Sequence, residues 1–295
     1  MKPDRAVDLA YALGWTIVRK VPLRPARWVF DRIADETWRR RGKGVMRLER
    51  NLRRVVGEQV SEAELRALSR RAMRSYLRYW LEAFRLPEMI PEQIDGGADV
   101  TGWEKIITTL DSGRGVILAL PHMGNYDHAG AWITQRGAPF TTVMERLKPE
   151  SLYERFVAYR EGLGMEILPL TGSGAGVFGT LARRLRDARL VCLVADRDLS
   201  SNGIEVDFFG EPARMVGGPA ALAVQTGAAL MPVTTWFTPG GWGILVHEEI
   251  SVPGDGDRKD KIRKMTQELA DAFAEGISAH PEDWHMLQRV WVEDF

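Results

Sequence analysis

Short apolar runs alternate with amphipathic stretches from about residue 101 onward, and this alternation constrains the fold more than any other feature of the chain. Six runs predict strands: GVILAL, FTTVM, MEILPL, ARLVCLVAD, ALMPVTTWF and GILVHEEISV. Helical patterns lie between several of them, namely YERFVAYREGLG, VFGTLARRLRD and GPAALAVQTG, and the long helical stretch DKIRKMTQELADAFAEGISAH follows. Such alternation predicts an α/β fold in which a central, largely parallel sheet is flanked by helices.

The first part of the chain shows a helical pattern instead. Apolar residues recur there at spacings of three and four, and Ser61 followed by Glu64 is typical of a capping box at a helix start. No linker or internal repeat interrupts the sequence. We therefore expect a single domain over residues 1–295, with a helical, basic part over 1–98 and an α/β catalytic part over 99–295.

The charge of the chain is balanced overall but unevenly placed. The net charge is zero, so no global field attracts a polyanion, and we expect no nucleic-acid partner. Residues 1–55 nevertheless hold fifteen Lys or Arg against six Asp or Glu, a net charge of +9 that the other residues offset. This asymmetry predicts a basic surface at one end that contacts anions.

Two features bear on the compartment. Cys192 is the single cysteine, so no disulfide forms within the chain, which is typical of a reducing compartment. The apolar run over residues 6–18 is broken by Asp8, has no cleavage site after it, and is too short to span a bilayer. The sequence therefore indicates a cytoplasmic protein.

The segment LPHMGNYDHAG (residues 120–130) places a histidine directly after a predicted strand. Gly124 and Asn125 permit a tight turn, and a helix can begin near Tyr126. Ligand sites of open α/β sheets form where strands end and helices begin, which makes His122 a candidate general base. On an ideal helix His122 and Asp127 lie about 140° apart, so they face each other only if the turn is not regular helix. A solvated loop histidine is the alternative.

A second polar cluster follows the run LVCLV. Residues 195–215, ADRDLSSNGIEVDFFGEPARM, combine Phe208, Phe209 and Gly210 with seven charged side chains. The charged residues are Asp196, Arg197, Asp198, Glu205, Asp207, Glu211 and Arg214. Two aromatic rings beside these charges indicate the wall of a site, and a charged hairpin anchored by phenylalanine rings is the alternative.

A rival interpretation rests on the stretch LTGSGAGVFGTL. Gly174, Gly176 and Gly179 form G-x-G-x-x-G between a predicted strand and a predicted helix, with Asp198 about 20 residues further on. This pattern suggests an NAD(P)-binding oxidoreductase, although a flexible helix entry or a phosphate-binding loop explains it equally well. No G-x-S-x-G or Walker A motif occurs, and the histidines lack metal-ligand spacing.

Read together, HMGNYD and DFFGEPA resemble the bacterial lipid A late acyltransferase family. That family's pattern of H-x-G-N-x-D/E after a strand, then D-x-D, F-F-G-x-P-A and a tail similar to HPEDWHMLQRVW, covers roughly residues 70–290. The stretches ERLKPESLYERFVAYREGLGMEILPL and DRDLSSNGIEVDFFGEPARM are most similar to the actinobacterial branch, the phosphatidylinositol mannoside acyltransferases. Asp127 stands where many lipid A enzymes have Glu.

The resemblance implies a glycerolipid acyltransferase-like fold and an activity. It implies acyl-CoA, here palmitoyl-CoA, as co-substrate, a mannose hydroxyl of a phosphatidylinositol glycolipid as acceptor, and no cofactor or metal. His122 would act as general base for direct transfer. The resemblance favours Glu205 as the carboxylate that relays to His122, with Asp127 shaping the turn, but spacing leaves both open.

The substrate-binding candidates are Asn125, Arg160, Arg197, Phe208, Phe209 and Gly210. Arg160 resembles the family's arginine near the donor, where it would hold a CoA phosphate or the developing oxyanion; a solvated helix arginine is the alternative.

The basic N-terminal part also suits a membrane surface. Trp15, Trp28 and Trp38 occur among its cations, a combination that favours an anionic inner leaflet. We therefore expect a peripheral protein on the cytoplasmic face of the cell membrane. A helical subdomain that merely packs on the sheet is the alternative for this region, and a non-catalytic lipid-binding protein would need only an apolar groove and this basic face.

Overall fold

A computed structural model describes residues 17–146, 150–170, 176–198 and 203–295 of the chain. The α-helices of these residues are α1 (Leu23–Arg40), α2 (Lys43–Val56), α3 (Glu62–Arg85), α4 (Pro91–Asp95), α5 (Trp103–Asp111), α6 (Tyr126–Gln135), α7 (Glu150–Gly162), α8 (Gly176–Arg186), α9 (Gly218–Thr226) and α10 (Arg258–Ala279). The strands are β1 (Ala98–Thr101), β2 (Val116–Leu120), β3 (Phe140–Met144), β4 (Glu166–Pro169), β5 (Leu190–Val194), β6 (Ile204–Phe208), β7 (Glu211–Met215), β8 (Ala229–Phe237) and β9 (Trp242–Val246).

A seven-stranded sheet forms the centre of the molecule, in the order β1-β9-β8-β2-β5-β3-β4. All neighbouring strands in it are parallel except β8 and β9. Five of the six strand-like runs in the sequence contain a whole strand, and the sixth, GILVHEEISV, covers all but the first residue of β9. The prediction of a largely parallel sheet flanked by helices is confirmed; strand β1 was not predicted.

The two central strands, β2 and β5, pair in parallel, with Leu120 opposite Val194. All five residues of β2 are buried, because helices and loops cover both faces of the sheet. One apolar core lies on each face. Since parallel strands run in the same direction, the loops that follow β2 and β5 leave the sheet side by side at one edge.

The N-terminal helices pack together around a third apolar cluster that includes Leu48, Leu52 and Leu68. Ser61 caps α3 and forms the predicted capping box with Glu64. Helix α3 is 24 residues long, and several of its side chains contact the loops at the sheet edge.

Strands β6 and β7 form an antiparallel hairpin apart from the main sheet. Its two turn residues, Phe209 and Gly210, have φ angles of 57° and 79°, the positive values that a tight hairpin with right-handed twist requires. Phe208 is 1% exposed and packs beneath the turn. The charged hairpin anchored by phenylalanine is therefore the arrangement adopted by this segment.

Among the described residues, no helix combines the length and the apolar character needed to cross a membrane. Most of the apolar run over residues 6–18 lies outside the described residues. Cys192 lies within strand β5, where burial raises the pKa of its thiol.

Candidate active site

His122 and Asp196 form the polar centre at the carboxyl edge of the sheet. The His122 Nδ1 atom lies 2.5 Å from Asp196 Oδ1, and the backbone N–H of His122 donates to Asp196 Oδ2 at 2.9 Å. Asp196 is fully buried, whereas the His122 side chain is 28% exposed. A carboxylate at Nδ1 stabilises the tautomer with the proton on that nitrogen, which leaves Nε2 as the ring atom that can accept a proton.

Strand pairing brings these two residues together. Each lies two residues beyond the end of its strand, and the ladder continues past the strand ends through the Ala195 N–H bond to the Leu120 carbonyl, at 2.8 Å. Sequence reasoning included Asp196 in the charged cluster but did not pair it with His122. The sequence does show a carboxylate, Asp196, directly after a buried strand. Pairing it with His122 requires knowing that β2 and β5 are neighbours in the sheet.

Burial and three neighbouring groups determine the pKa of the Asp196 carboxyl. Burial alone raises the pKa of this carboxyl, but the imidazole and backbone N–H of His122 and the indole N–H of Trp284 outweigh burial and hold the pKa below its ordinary value. The Trp284 Nε1 atom donates to Asp196 Oδ2 at 2.9 Å. The carboxylate is therefore ionised and oriented before any substrate binds.

The C-terminal segment lies directly against the His122 loop. His285 N–H donates to the His122 carbonyl at 2.8 Å, and Gly124 N–H donates to the Asp283 carbonyl at 2.9 Å. Met123 and Trp284 form an isolated antiparallel bridge between these bonds. The loop therefore has backbone partners in both the sheet and the tail.

A buried polar cluster ties this tail to helix α3. Ser75 Oγ donates to Asp283 Oδ1 at 2.5 Å and lies 2.8 Å from His285 Nε2. Burial raises the pKa of Asp283 to about 6 and lowers the pKa of His285 to about 3. The serine lies between the two other groups and the histidine is not next to the carboxylate, so this is not a nucleophile–base–acid chain.

Asp127 does not contact His122, contrary to one of the two predicted relays. Its carboxylate accepts two bonds from Arg160, from Nε at 2.8 Å and Nη2 at 3.2 Å, and one from Tyr79 Oη at 2.9 Å. Helix α6 begins at Tyr126, so Asp127 lies in its first turn and points away from the loop. Its observed role is to hold Arg160 in place.

Glu205, the other predicted relay, is also displaced from the site. It lies on β6 opposite Arg214 and is exposed, lining a surface groove that contains Lys261 and Lys264. Alternate residues of a strand face opposite sides, and Val206 and Phe208 occupy the buried side. The prediction of Glu205 as the relay to His122 is therefore wrong; Asp196 occupies that position.

Asn125 caps helix α6 and leaves little of its amide for a substrate. Its Oδ1 accepts the His128 N–H at 2.9 Å, and its Nδ2 donates to Glu82 Oε2 at 2.8 Å. The preceding Gly124 has a φ of 56°, and an added Cβ would lie 2.5 Å from the Thr235 carbonyl oxygen, so only glycine fits. The predicted substrate-binding role of Asn125 is replaced by a structural one.

The predicted aromatic wall is likewise largely structural. Phe208 stacks on Trp291 with ring centroids 5.7 Å apart and contacts Trp284 at 5.9 Å, so its ring is closed off from a substrate. Phe209 is half-buried and Gly210 is exposed at the hairpin turn. Arg197 follows Asp196 directly, and its buried Nε finds no hydrogen-bond partner within the part of the chain that the structure describes. Arg197 remains a candidate for an anionic ligand.

An apolar pocket lies between the sheet and helix α6, with Asp127 and Arg160 in its wall. Its other lining residues include Leu118, Leu120, Gly130, Phe140, Met165 and Cys192. The cavity volume is about 80 Å³, below the roughly 300–1,000 Å³ of typical ligand sites. Met165 is the flexible lining side chain whose movement would enlarge it.

The glycine pattern of the rival interpretation is only partly visible. Gly174 lies outside the described residues, and Gly176 and Gly179 lie in helix α8. The strand before this loop, β4, is an edge strand. Dinucleotide sites form instead at a switch point between neighbouring strands, so the topology does not favour one here.

Comparison with known proteins gives a consistent result. The family model described as bacterial lipid A biosynthesis acyltransferase matches residues 1–293. A Mycolicibacterium smegmatis protein named phosphatidylinositol mannoside acyltransferase is 50% identical over 290 residues, which cover 98% of this chain and 93% of that protein. A Mycobacterium tuberculosis (strain CDC 1551 / Oshkosh) protein of the same name is 49% identical over 291 residues, 98% of this chain and 90% of its own length.

Proposed function

The chain belongs to the bacterial lipid A biosynthesis acyltransferase family, and from that membership we propose that it transfers a long acyl chain, palmitoyl, from acyl-CoA to a mannose hydroxyl of a phosphatidylinositol mannoside. The observation that carries the proposal is the His122–Asp196 pair, which lies at the carboxyl edge of the central strands. The names of the related mycobacterial proteins support the choice of acceptor.

His122 is the proposed general base. A sugar hydroxyl is a weak nucleophile, and Nε2 of neutral His122 takes its proton as the oxygen attacks the thioester carbonyl. Asp196 accepts the Nδ1–H bond and stabilises the imidazolium that forms. When the tetrahedral intermediate collapses, the C–S bond breaks and the imidazolium returns the proton to the CoA sulfur. The products are the ester and CoA thiol, and His122 is neutral again.

Transfer is proposed to be direct, without an acyl-enzyme. Cys192 lies within a buried strand, where burial raises its pKa and disfavours the nucleophilic thiolate. No second base is needed, because the acceptor hydroxyl itself attacks the donor.

The apolar pocket beneath α6 is the proposed site of the acyl chain. Burial of a methylene group stabilises a bound chain by roughly 0.8 kcal/mol, so a long chain gains most from a continuous apolar wall. The side chains of the pocket supply that wall once movement of Met165 enlarges the cavity, and Arg160 supplies a fixed positive charge within it. Held by Asp127, this guanidinium is suited to stabilise the developing oxyanion or a CoA phosphate.

Helix α1 is the proposed membrane contact on the cytoplasmic face. Trp28 is 60% exposed, and Leu23, Val29 and Ile33 are exposed as well. Exposed arginines flank these residues, an arrangement that suits an anionic leaflet. Trp38 does not belong to this surface, since its indole N–H donates to Ser69 Oγ at 2.9 Å in the helical core. Trp15 lies outside the described residues.

The test is release of CoA thiol from palmitoyl-CoA by the purified full-length protein, with and without mannosylated phosphatidylinositol. We expect release that depends on the acceptor and is abolished in His122→Ala. Release without acceptor that survives this substitution would refute the mechanism. Thermal stabilisation by NADH but not by CoA would instead favour the oxidoreductase interpretation.

A further inference from the structure

The tail residue Trp284 contacts the proposed catalytic pair, although it is distant from it in sequence. We propose that Trp284 is a positioning residue of acyl transfer, which acts on His122 by fixing the carboxylate of Asp196. The proposal rests on the proposed function, because it assigns Trp284 a role within that reaction. Trp284 would touch neither the acyl donor nor the acceptor.

Three hydrogen-bond donors surround the Asp196 carboxylate. Oδ1 lies at His122 Nδ1, and Oδ2 accepts the His122 backbone N–H and the Trp284 indole N–H. Asp196 and Trp284 are both fully buried. Water therefore cannot replace the indole donor, and its loss leaves Oδ2 with one donor in place of two.

The indole ring of Trp284 is itself held rigidly. Trp284 bridges to Met123, and the flanking bonds of Asp283 and His285 fix the backbone on either side. The indole packs edge-on against Phe208 and Trp291, with centroids 5.9 and 6.0 Å apart. An immobile donor fixes the plane of the carboxylate that it contacts.

A fixed Asp196 carboxylate in turn orients the His122 ring. An aspartate carboxylate rotates easily about its last bond, because that torsion is broad. The Trp284 bond restricts this rotation and keeps Oδ1 at the His122 ring nitrogen. Small losses of orientation at a catalytic base lower the rate of chemistry more than the binding of substrate. We therefore expect an effect on kcat and little on KM.

Trp291 provides a matched control. It is also a fully buried tail tryptophan, and it contacts the same Phe208 ring. Its indole N–H, however, donates to the Phe208 carbonyl at 3.0 Å and not to Asp196. Phenylalanine at either position replaces an indole by a phenyl ring and removes one indole N–H donor.

The experiment compares the full-length wild type with Trp284→Phe and Trp291→Phe. One readout is the low-field proton resonance of His122 Nδ1–H in NMR spectra, identified by its absence in His122→Gln. We expect this signal to move upfield or disappear in Trp284→Phe and to stay in Trp291→Phe. The second readout is kinetics with palmitoyl-CoA and the mannosylated acceptor. We expect kcat to fall about tenfold in Trp284→Phe, with KM for palmitoyl-CoA within twofold.

Two outcomes would overturn the proposal: an unchanged low-field signal in Trp284→Phe, or an equal fall of kcat in both variants. If Trp284→Phe does not fold, benzothienylalanine at position 284 retains the ring shape and replaces the N–H by sulfur, and the same two readouts decide. Lack of transfer by the wild type, with a low-field signal that still depends on Trp284, would refute the proposed function and support the positioning contact.

Discussion

His122 and Asp196 each lie two residues beyond the end of one of a pair of adjacent parallel strands, and their side chains meet there at 2.5 Å. The pair therefore depends on the register of β2 and β5, in which Leu120 is opposite Val194. The carboxylate is buried and the histidine partly exposed, so the base faces the accessible side of the pair.

Asp196→Asn tests the partner that the structure gives to His122. We expect kcat for acyl transfer to fall about 10²- to 10⁴-fold, because the amide does not stabilise the imidazolium and favours the wrong tautomer. Glu205→Gln is the control, since Glu205 is exposed on β6 and should change kcat less than twofold. A larger loss in Glu205→Gln than in Asp196→Asn would restore the relay predicted from the sequence.

Asp127→Ala tests whether Asp127 has the structural role of holding Arg160 in place. Asp127 is 3% exposed and paired with Arg160, and its removal leaves a buried guanidinium without its counter-charge. We expect the free energy of unfolding in urea to fall by about 3–5 kcal/mol. The same measurement on Asp260→Ala, which breaks the exposed pair with Arg263, should show a change within about 1 kcal/mol. Equal losses would argue against a structural role for Asp127.

The raised pKa of Asp283 predicts a pH-dependent contribution to stability. Its folded pKa of about 6 exceeds the ordinary 3.8, so the folded state binds the proton more tightly than the unfolded state. The contribution of this group is thus favourable at low pH and is lost as the pH rises from about 4 to about 6. The stability of the wild type relative to Asp283→Asn should fall by about 2 kcal/mol between pH 4 and pH 7, measured by urea unfolding. A difference that does not depend on pH would contradict the assignment.

Gly130→Ala tests the proposed acyl pocket. The added Cβ would lie 2.7 Å from Met165 Cε and 3.0 Å from Phe140 Cζ. Those two side chains line the pocket and would be pushed into it, which reduces its volume. We expect kcat/KM to fall more for palmitoyl-CoA than for lauroyl-CoA, by roughly three- to fourfold for each methylene group excluded. Gly179→Ala, with nothing within 4 Å of its added Cβ, is the control. An equal fall of kcat/KM for palmitoyl-CoA and lauroyl-CoA would mean that the acyl chain binds elsewhere.

Trp28→Glu tests the membrane contact of α1. Replacing an exposed apolar ring by a negative charge should weaken binding to anionic vesicles about tenfold or more in co-sedimentation. Val252→Glu introduces the same charge at an exposed valine of the loop after β9 and should have a smaller effect. Equal binding of the wild type to neutral and anionic vesicles would refute the electrostatic part of the proposal.

The fold was predictable from the sequence because strand and helix periodicities are local. Runs such as FTTVM and ALMPVTTWF match strands β3 and β8 residue for residue, and Ser61 marks a helix start through its own side chain. Strand β1 was not predicted because its sequence, ADVT, contains no apolar run, and none of its residues is fully buried.

The site was only half predictable. His122 follows its strand visibly, but its carboxylate partner lies 74 positions away, and only the strand order makes the two neighbours. Asp127 was kept as a possible relay because of its nearness in sequence, while the resemblance favoured Glu205; the helix geometry that argued against pairing Asp127 with His122 proved decisive. Trp284 is a still harder case, because no local pattern reveals which carboxylate a distant indole will contact.

The in-register pairing of β2 and β5 also makes the enzyme sensitive to mispairing. A slip of one residue between the two strands would shift His122 by about 3.3 Å along its strand and turn its side chain to the opposite face from Asp196. Molecules in which β2 and β5 pair out of register would thus be inactive, even if they are compact. Turnover per molecule therefore reports the fraction of a preparation in which the central strands are correctly aligned, which spectroscopic measures of strand content cannot distinguish.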